Sequence, residues 1–318
     1  MSHRLARTTA VLGTAALTAA VLTACGSSDA DNADGGSASG DTITFAAVPA
    51  ESSATLESTF SNITALIEQE TGATVEFQNA SDYAAVIEGM RAGQVDVASF
   101  GPFSYVIAKD SGVNMEPAAA PTHDPETAPA YTSLAYVKAD SDIQGIEDLA
   151  GRNVCFVDQA STSGYLVPMK GLMDGGIDLN EDLTPILAGG HDASLLTLDA
   201  GDCDAAFAHD TMLKTLEESG QVEPGSLRAV WESDPITEDP ISVNRDSLDP
   251  ELADQIIEVL REKASKPALV EAGICESEDD CVLPEEIEWG YLPVSDEDFD
   301  PIREICEVTQ AEACQNVG

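Results

Sequence analysis

Short runs of apolar residues at period two alternate along this chain with longer stretches whose apolar positions recur every three to four residues. Thr42–Val48 reads as a strand, Ser53–Glu70 as a helix, Thr74–Phe77 as a strand, Tyr83–Ala92 as a helix and Val95–Phe100 as a strand. After an apolar run over Tyr131–Val137 the pattern resumes with strand Asn153–Val157, helix Gly164–Met173, strand Leu183–Leu187, helix Ala193–Ala200 and strand Asp204–Ala208. Strands and helices in alternation predict an α/β fold. The tail reads as a helix over Leu252–Lys263 and as an irregular, acidic packing and stapling segment beyond it.

Within this pattern lies an internal echo. Ala92–Ala98 and Ala200–Ala206 share A-G-x-x-D-x-A at an offset of 201 − 93 = 108, and each Gly suits the left-handed cap that ends a helix before a strand. The same offset pairs Tyr83 with His191, each at the start of its helix. Chance is one account, because helix, Gly and strand with Asp is a common α/β sequence. The other is two lobes of like construction, each turning a helix N-terminus toward a shared cleft.

The first 24 residues follow a different rule. Arg4 and Arg7 precede an apolar run from Ala10 to Leu22 that ends Leu22-Thr23-Ala24-Cys25, the pattern of an exported chain's signal peptide, and the stretch is too Ala/Thr-rich for a membrane span. Small residues before a cysteine resemble a bacterial lipobox, which implies cleavage before Cys25 and lipidation of its thiol. Residues 26–40 hold nothing that packs a core and predict a flexible tether with a mean reach of about 20 Å.

Charge narrows the partners. With 14 Lys and Arg against 58 Asp and Glu the formal charge is −44, a surface that repels nucleic acid and anionic lipid. Besides Cys25 there are six cysteines, Cys155, Cys203, Cys275, Cys281, Cys306 and Cys314, an even number that suits disulfides in an exported protein. Six cysteines allow 15 connectivities. Cys275 and Cys281 are near neighbours, as are Cys306 and Cys314, which leaves Cys155 for Cys203. The histidines are far apart in sequence and no CxxC or HxxxH occurs, so neither a metal nor a cofactor is expected.

The segment richest in chemistry is Asp158-Gln159-Ala160-Ser161-Thr162-Ser163-Gly164-Tyr165-Leu166-Val167-Pro168. It follows a strand and opens a helix, and it concentrates hydroxyls where the first helical N–H groups lack intrahelical partners, a ready anion site. Ordinary N-capping accounts for one hydroxyl but not three in a row before Gly. His191 lies in a second glycine-bearing turn into a helix, Gly189-Gly190-His191-Asp192, and Asp239 in the turn Thr237-Glu238-Asp239-Pro240-Ile241.

The segment from Asp82 to Ala98, the run Ser161-Thr162-Ser163-Gly164-Tyr165-Leu166-Val167-Pro168, then Gly190-His191 and Asp239-Pro240-Ile241 resemble, in this order, the phosphate/phosphite/phosphonate-binding proteins of ABC importers. The resemblance covers most of residues 42–262 and implies the type II periplasmic-binding fold, two α/β lobes joined by two crossovers near Tyr131–Lys138 and Pro240–Asn244. The lobes would then be 41–135 with 241–318, and 136–240. It also implies that Ser161, Thr162, Ser163 and His191 grip phosphoryl oxygens, that Tyr83 and Tyr131 close over them, and that Asp239 looks toward the rest of the ligand. Phe100 or Phe103 is expected on the P–H or P–CH3 side. Where aminophosphonate binders carry a second acid, this chain has His209-Asp210-Thr211-Met212, with Thr211 at that place, so a smaller ligand than 2-aminoethylphosphonate is expected; a shift of one residue would put Asp210 there instead.

The function expected is therefore that of a lipid-anchored, extracytoplasmic binding protein, a monomer, that hands a small phosphorus oxyanion, phosphonate or phosphite, to an ABC permease and its ATPase. A ligand-sensing co-receptor of the same fold is one alternative. A secreted hydrolase using Ser163 and His191 is another, though no G-x-S-x-G elbow accompanies them.

Overall fold

The computed structural model describes residues 41–284 and 287–315. The signal peptide, Cys25 and the tether lie outside the described residues.

In chain order, β1 (Thr42–Ala47) leads into helices α1 (Ser53–Thr59) and α2 (Ser61–Thr71), then β2 (Thr74–Gln78), α3 (Tyr83–Arg91), β3 (Val97–Ser99), α4 (Pro102–Asp110) and β4 (Met115–Thr122). A short strand β5 (Ala130–Tyr131) precedes β6 (Ser133–Lys138), β7 (Asn153–Phe156), α5 (Val167–Asp174), β8 (Thr184–Leu187), α6 (His191–Ala200), β9 (Ala205–His209), α7 (Met212–Glu218) and β10 (Leu227–Glu232). The chain returns through β11 (Ile236–Thr237) and β12 (Ile241–Asn244) to α8 (Pro250–Lys263), α9 (Lys266–Glu271), β13 (Gly290–Pro293), α10 (Asp300–Thr309) and α11 (Glu312–Gln315).

Two mixed sheets result, ordered β13-β4-β12-β3-β1-β2 and β10-β6-β9-β7-β8. In the first, β1 runs parallel to β2 and β3, and β12 lies antiparallel beside β3. In the second, β7 runs parallel to β8 and β9, and β6 lies antiparallel beside β9. The two sheets thus repeat one plan, and the sequence echo marks it. Asp96 accepts the Thr44 N–H at 2.8 Å while its own N–H bonds to the Thr44 carbonyl; Asp204 does the same to Asn153 at 2.9 Å. Each echoed Asp therefore pins its strand to the parallel strand beside it, β1 or β7. Gly93 and Gly201 both adopt positive φ between helix and strand, at 65° and 86°, which is the conformation glycine enters without a Cβ penalty.

Several elements differ from the sequence reading. The expected helix Ser53–Glu70 is divided at Phe60, between α1 and α2, and the buried Phe60 ring packs tilted against Phe45 and stacked on Phe77. The helix expected over Gly164–Met173 begins as a π turn over Thr162–Leu166 before α5. The tail is ordered: β13 extends the first sheet and α10 buries Ile302 beneath acidic neighbours. The passages between the sheets run through the β5–β11 ribbon, a few residues before the positions the family resemblance implies, because β6 and β12 already belong to the sheets. All three disulfides form as the near-neighbour pairing suggests: Cys155–Cys203, Cys275–Cys281 and Cys306–Cys314.

Separate apolar clusters fill the outer faces, with Ile63, Leu66, Ile256 and Leu260 under the first sheet and Val154, Phe156 and Phe207 in the second. A further cluster crosses between lobes, joining Tyr83, Phe100 and Phe103 to Val157, Leu166 and Ile236. The candidate site lies against this shared core.

Candidate functional site

Four helix starts converge on a small pocket. Residues Ala50, Tyr83, Gly101, Tyr131, Ser161, Thr162, Ser163, His191, His209 and Asp239 line it. Its volume is about 10 Å³, the scale of one buried atom group, since a single water needs roughly 10–15 Å³ by the same measure. From the first lobe come the first residue of α3, Tyr83, and the N-cap of α4, Gly101; from the second come the N-cap of the π turn, Ser161, and the first residue of α6, His191. Helix N-termini carry unsatisfied N–H groups and a partial positive charge, so their convergence favours an anion. Tyr83 and His191 thereby occupy equivalent places, as their common offset in sequence suggests.

The hydroxyl run is held by local fit. The Ser161 hydroxyl accepts the Gly164 N–H at 3.1 Å, and a Cβ on Gly164 would come within 2.3 Å of a Val157 methyl carbon and 2.8 Å of that hydroxyl. Only glycine lets the turn close here. Ser161, Thr162 and Ser163 are all at most 2% exposed. Thr162 Oγ1 accepts the Phe103 N–H of α4 at 2.8 Å, a bond from one lobe to the other, and the Ser163 carbonyl accepts the Ser133 hydroxyl at 2.6 Å. The His191 N–H bonds across the cleft to the Ala50 carbonyl at 2.8 Å, so the lobes are closed on each other.

His191 is fixed in one tautomer. Its Nδ1 accepts the backbone N–H of His209 at 3.2 Å, which requires Nδ1 to be bare and, in the neutral ring, places the proton on Nε2. Burial, and then the neighbouring His209, hold this imidazole well below the ordinary histidine range, so the ring is neutral. Nε2 lies 3.4 Å from Ser161 Oγ. Ser161 and Thr162 each receive protein N–H groups on their lone pairs, which leaves their O–H bonds to donate elsewhere. The site therefore offers neutral donors, and no Lys or Arg is among its lining residues.

Of the residues the sequence singled out, Tyr83, Tyr131, Ser161, Thr162, Ser163, His191 and Asp239 are brought together. Phe100 and Phe103 are not among the lining residues: both are fully buried in the core behind it, and Phe103 contributes its backbone N–H to Thr162 instead. The sequence reading missed His209. Its ring centroid stands 4.7 Å from that of His191, although the two are 18 positions apart, because α6 returns directly into β9 beside β7. Asp210, the alternative second acid, turns its carboxylate to the Thr132 N–H and hydroxyl at 3.0 and 3.1 Å, and Thr211 bonds to His209 Nδ1 at 3.0 Å. Neither lines the cavity. The one carboxylate in its lining is Asp239, whose Oδ2 lies 3.9 Å from where a Cβ on Gly101 would stand.

Residues 45–276 match the family model of the periplasmic substrate-binding protein of phosphonate ABC transporters. The chain belongs to that family. It is 44% identical over 284 residues, 86% of this chain and 88% of the other, to the phosphate-import protein PhnD of Mycolicibacterium smegmatis. Its fold superposes with a TM-score of 0.74 at 25% identity on a binding protein component of an ABC phosphonate transporter from Pseudomonas aeruginosa, covering 85% of this chain and 87% of that one. PhnD1 of Prochlorococcus marinus, solved with methylphosphonate, superposes at 0.70 with 16% identity over 85% and 99% of the two chains, a likeness of fold. The two-lobed type II architecture of this binding-protein family is thus the frame that holds the cavity. Among the described residues no helix is long and apolar enough to cross a membrane.

Proposed function

We propose that this binding protein captures a small phosphorus oxyanion, inorganic phosphate, phosphite or a simple phosphonate, and delivers it to an ABC permease and its ATPase from the outer face of the membrane, anchored through lipid on Cys25. The observation that carries the reading is the cavity itself: converging helix N-termini, the Ser161 and Thr162 hydroxyls that each already accept a protein N–H, and an imidazole locked with Nε2–H forward. Ser161, Thr162, Ser163 and His191 donate to the phosphoryl oxygens, while Tyr83 and Tyr131 close over them. The chain crosses between the lobes around the β5–β11 ribbon, which lets them part to admit ligand. The name of the relative at 44% identity supports inorganic phosphate as a member of the ligand set.

Asp239 sets the protonation demand. A carboxylate facing a bound oxyanion is tolerated when the ligand brings a hydrogen for it, since two acceptors left facing each other inside a closed site are costly. Monohydrogen phosphate and hydrogen phosphonates meet that demand; sulfate does not. An ammonium-bearing ligand would need more than Asp239 to replace its hydration, because Asp210 is committed to Thr132. The hydrolase alternative is disfavoured by the tautomer: a ring whose Nε2 carries the proton cannot take one from a serine, and it is Ser161, not Ser163, that lies beside it.

Calorimetry on the full chain in detergent tests the reading. Phosphate, phosphite and methylphosphonate should bind, and each should exceed 2-aminoethylphosphonate and sulfate by about tenfold or more, about 1.4 kcal/mol. Ser161→Ala and Thr162→Ala should each weaken binding by about 1–3 kcal/mol, the range for a hydrogen bond to a charged group. Asp239→Asn should narrow the preference over sulfate. Binding of none of the three oxyanions, or a preference for the aminoethyl ligand, would refute the proposal.

A further inference from the structure

The C-terminal end of the chain serves both lobes. Helix α10 touches α4 of the first lobe, α5 of the second and the π turn that opens α5. Its hold on the two lobes differs in kind. Toward the first lobe it is polar and directional: Arg303 donates to both carboxylate oxygens of Asp110, at the end of α4, at 2.9 and 3.1 Å, and to Asp296 at 2.9 Å. Asp296 also accepts the Tyr105 hydroxyl of α4 at 2.7 Å, and the rings of Tyr105 and Phe299 lie 4.6 Å apart. The crossover is tied to the same segment, since the Thr237 hydroxyl donates to the Asp298 carbonyl at 2.8 Å. Toward the second lobe the contact is apolar. Ile302 shares a buried cluster with Leu166 and Val167, and Ile305, Met169 and Trp231 pack against it. Lys170 of α5 pairs within its own helix, with Asp174. Packing beside this seam is incomplete: a hollow of about 510 Å³ is lined by α10, α5 and β10, with Trp231 and Ile305 standing among charged groups such as Lys170 and Glu232.

We propose that residues 295–315 form a strap that holds the lobes closed and so sets how long a bound oxyanion stays. Its effect on affinity rests on the phosphoryl reading of the cavity given above. The Thr162 hydroxyl accepts the Phe103 N–H and thereby joins the start of α4 to the π turn before α5, so any opening of the cavity parts those two helix starts. α10 lies on both helices. Charge-assisted hydrogen bonds are directional and break when displaced, whereas apolar surfaces slide or part at a cost that follows the area exposed. Opening is therefore taken up at the seam: α10 travels with α4, and Ile302 and Ile305 come away from α5. Apolar surface buried in the closed form returns to water, a cost of opening that adds to whatever the ligand's own bonds impose. The hollow leaves α10 and α5 room to move past one another, which a close-packed interface does not. Arg303 and Ile305 are positioning residues, acting on the oxyanion only through the lobes, since neither lines the cavity.

The test follows phosphite release from the full chain in detergent by stopped-flow, with Trp231, which packs at the seam, as fluorescent reporter. Ile305→Ala trims the seam, Arg303→Gln releases the anchor on α4, and Glu304→Gln, at an exposed position of the same helix, is the control. The first two should each raise the dissociation rate and the Kd by about tenfold, about 1.4 kcal/mol, with the association rate within about twofold of native. Glu304→Gln should match the native protein. Ile305→Val should move in the same direction by less, which keeps the trend readable if the alanine variant folds poorly. A merely structural role would lower the urea midpoint and leave release from the folded protein untouched. Release in the Ile305 and Arg303 variants that is slower than native, or within about twofold of it, would overturn the strap and leave the cavity assignment standing. Should the native protein bind no phosphite, the cavity assignment falls, and X-ray scattering of the ligand-free chains decides the strap: a larger radius of gyration in both variants supports it, and equal radii overturn it.

Discussion

At the scale of single residues the proposed site rests on groups that already bond to the protein and have one O–H or N–H left to donate. Thr162 gives a lone pair to Phe103 and Ser161 gives one to Gly164, so each O–H is free to donate. His191 follows the same logic with a charge consequence. Its folded-state pKa lies well below the unfolded value of about 6.5, so below about pH 6.5 the unfolded chain binds a proton that the folded chain refuses. The stability contributed by the neutral ring is present in full above about pH 6.5 and declines as pH falls. Urea midpoints measured from pH 8 to pH 5 should therefore drop more steeply in the native protein than in His191→Gln; parallel curves would show that the buried ring is not a source of the dependence.

At the scale of elements, the Cys155–Cys203 bridge joins β7 to the residues just before β9, the two strands whose ends deliver the hydroxyl turn and His209. Both sulfurs belong to a buried apolar cluster with Leu195 and Leu198 of α6. The bridge closes a loop of 48 residues, so it should restrict the unfolded chain by about 3–4 kcal/mol in the loop-entropy model. Replacing both cysteines by Ala should lower the unfolding free energy by about that amount, measured by urea denaturation. The same pair removed with ligand at 100 times its dissociation constant should regain about 2.7 kcal/mol. The two short-range bridges enclose separations of only 6 and 8 residues, and their removal should cost less. Element boundaries were the least legible part of the sequence. β4 carries Pro117 and Pro121 yet lies inside the first sheet, a place prolines usually avoid, and the register of its neighbour β12 shifts at Ile241/Ser242 opposite it. No local pattern announces such a strand, because the partner that accommodates it arrives more than a hundred residues later.

For the whole molecule, a protein with a formal charge of −44 captures an anion. Long-range repulsion slows encounter, while the enclosed donors set affinity at short range. Raising salt from about 10 to 150 mM shortens the screening length from roughly 30 to 8 Å, so the association rate of phosphate in stopped-flow should rise with salt while its dissociation rate changes little. A falling association rate would show that Lys214 and Lys266, which line the hollow beside Asp239, dominate the approach field. The sequence by itself carried the α/β class, the A-G-x-x-D-x-A echo, the near-neighbour cysteine spacings, and the hydroxyl turn with His191, because each of these is a local signal: a period, a cap, a spacing or a short motif. The tertiary structure alone decided which groups meet. It set His209 beside His191, turned Asp210 away to Thr132 and withdrew Phe100 into the core, because those outcomes depend on where strands from different parts of the chain end, and no residue carries that information in its neighbours.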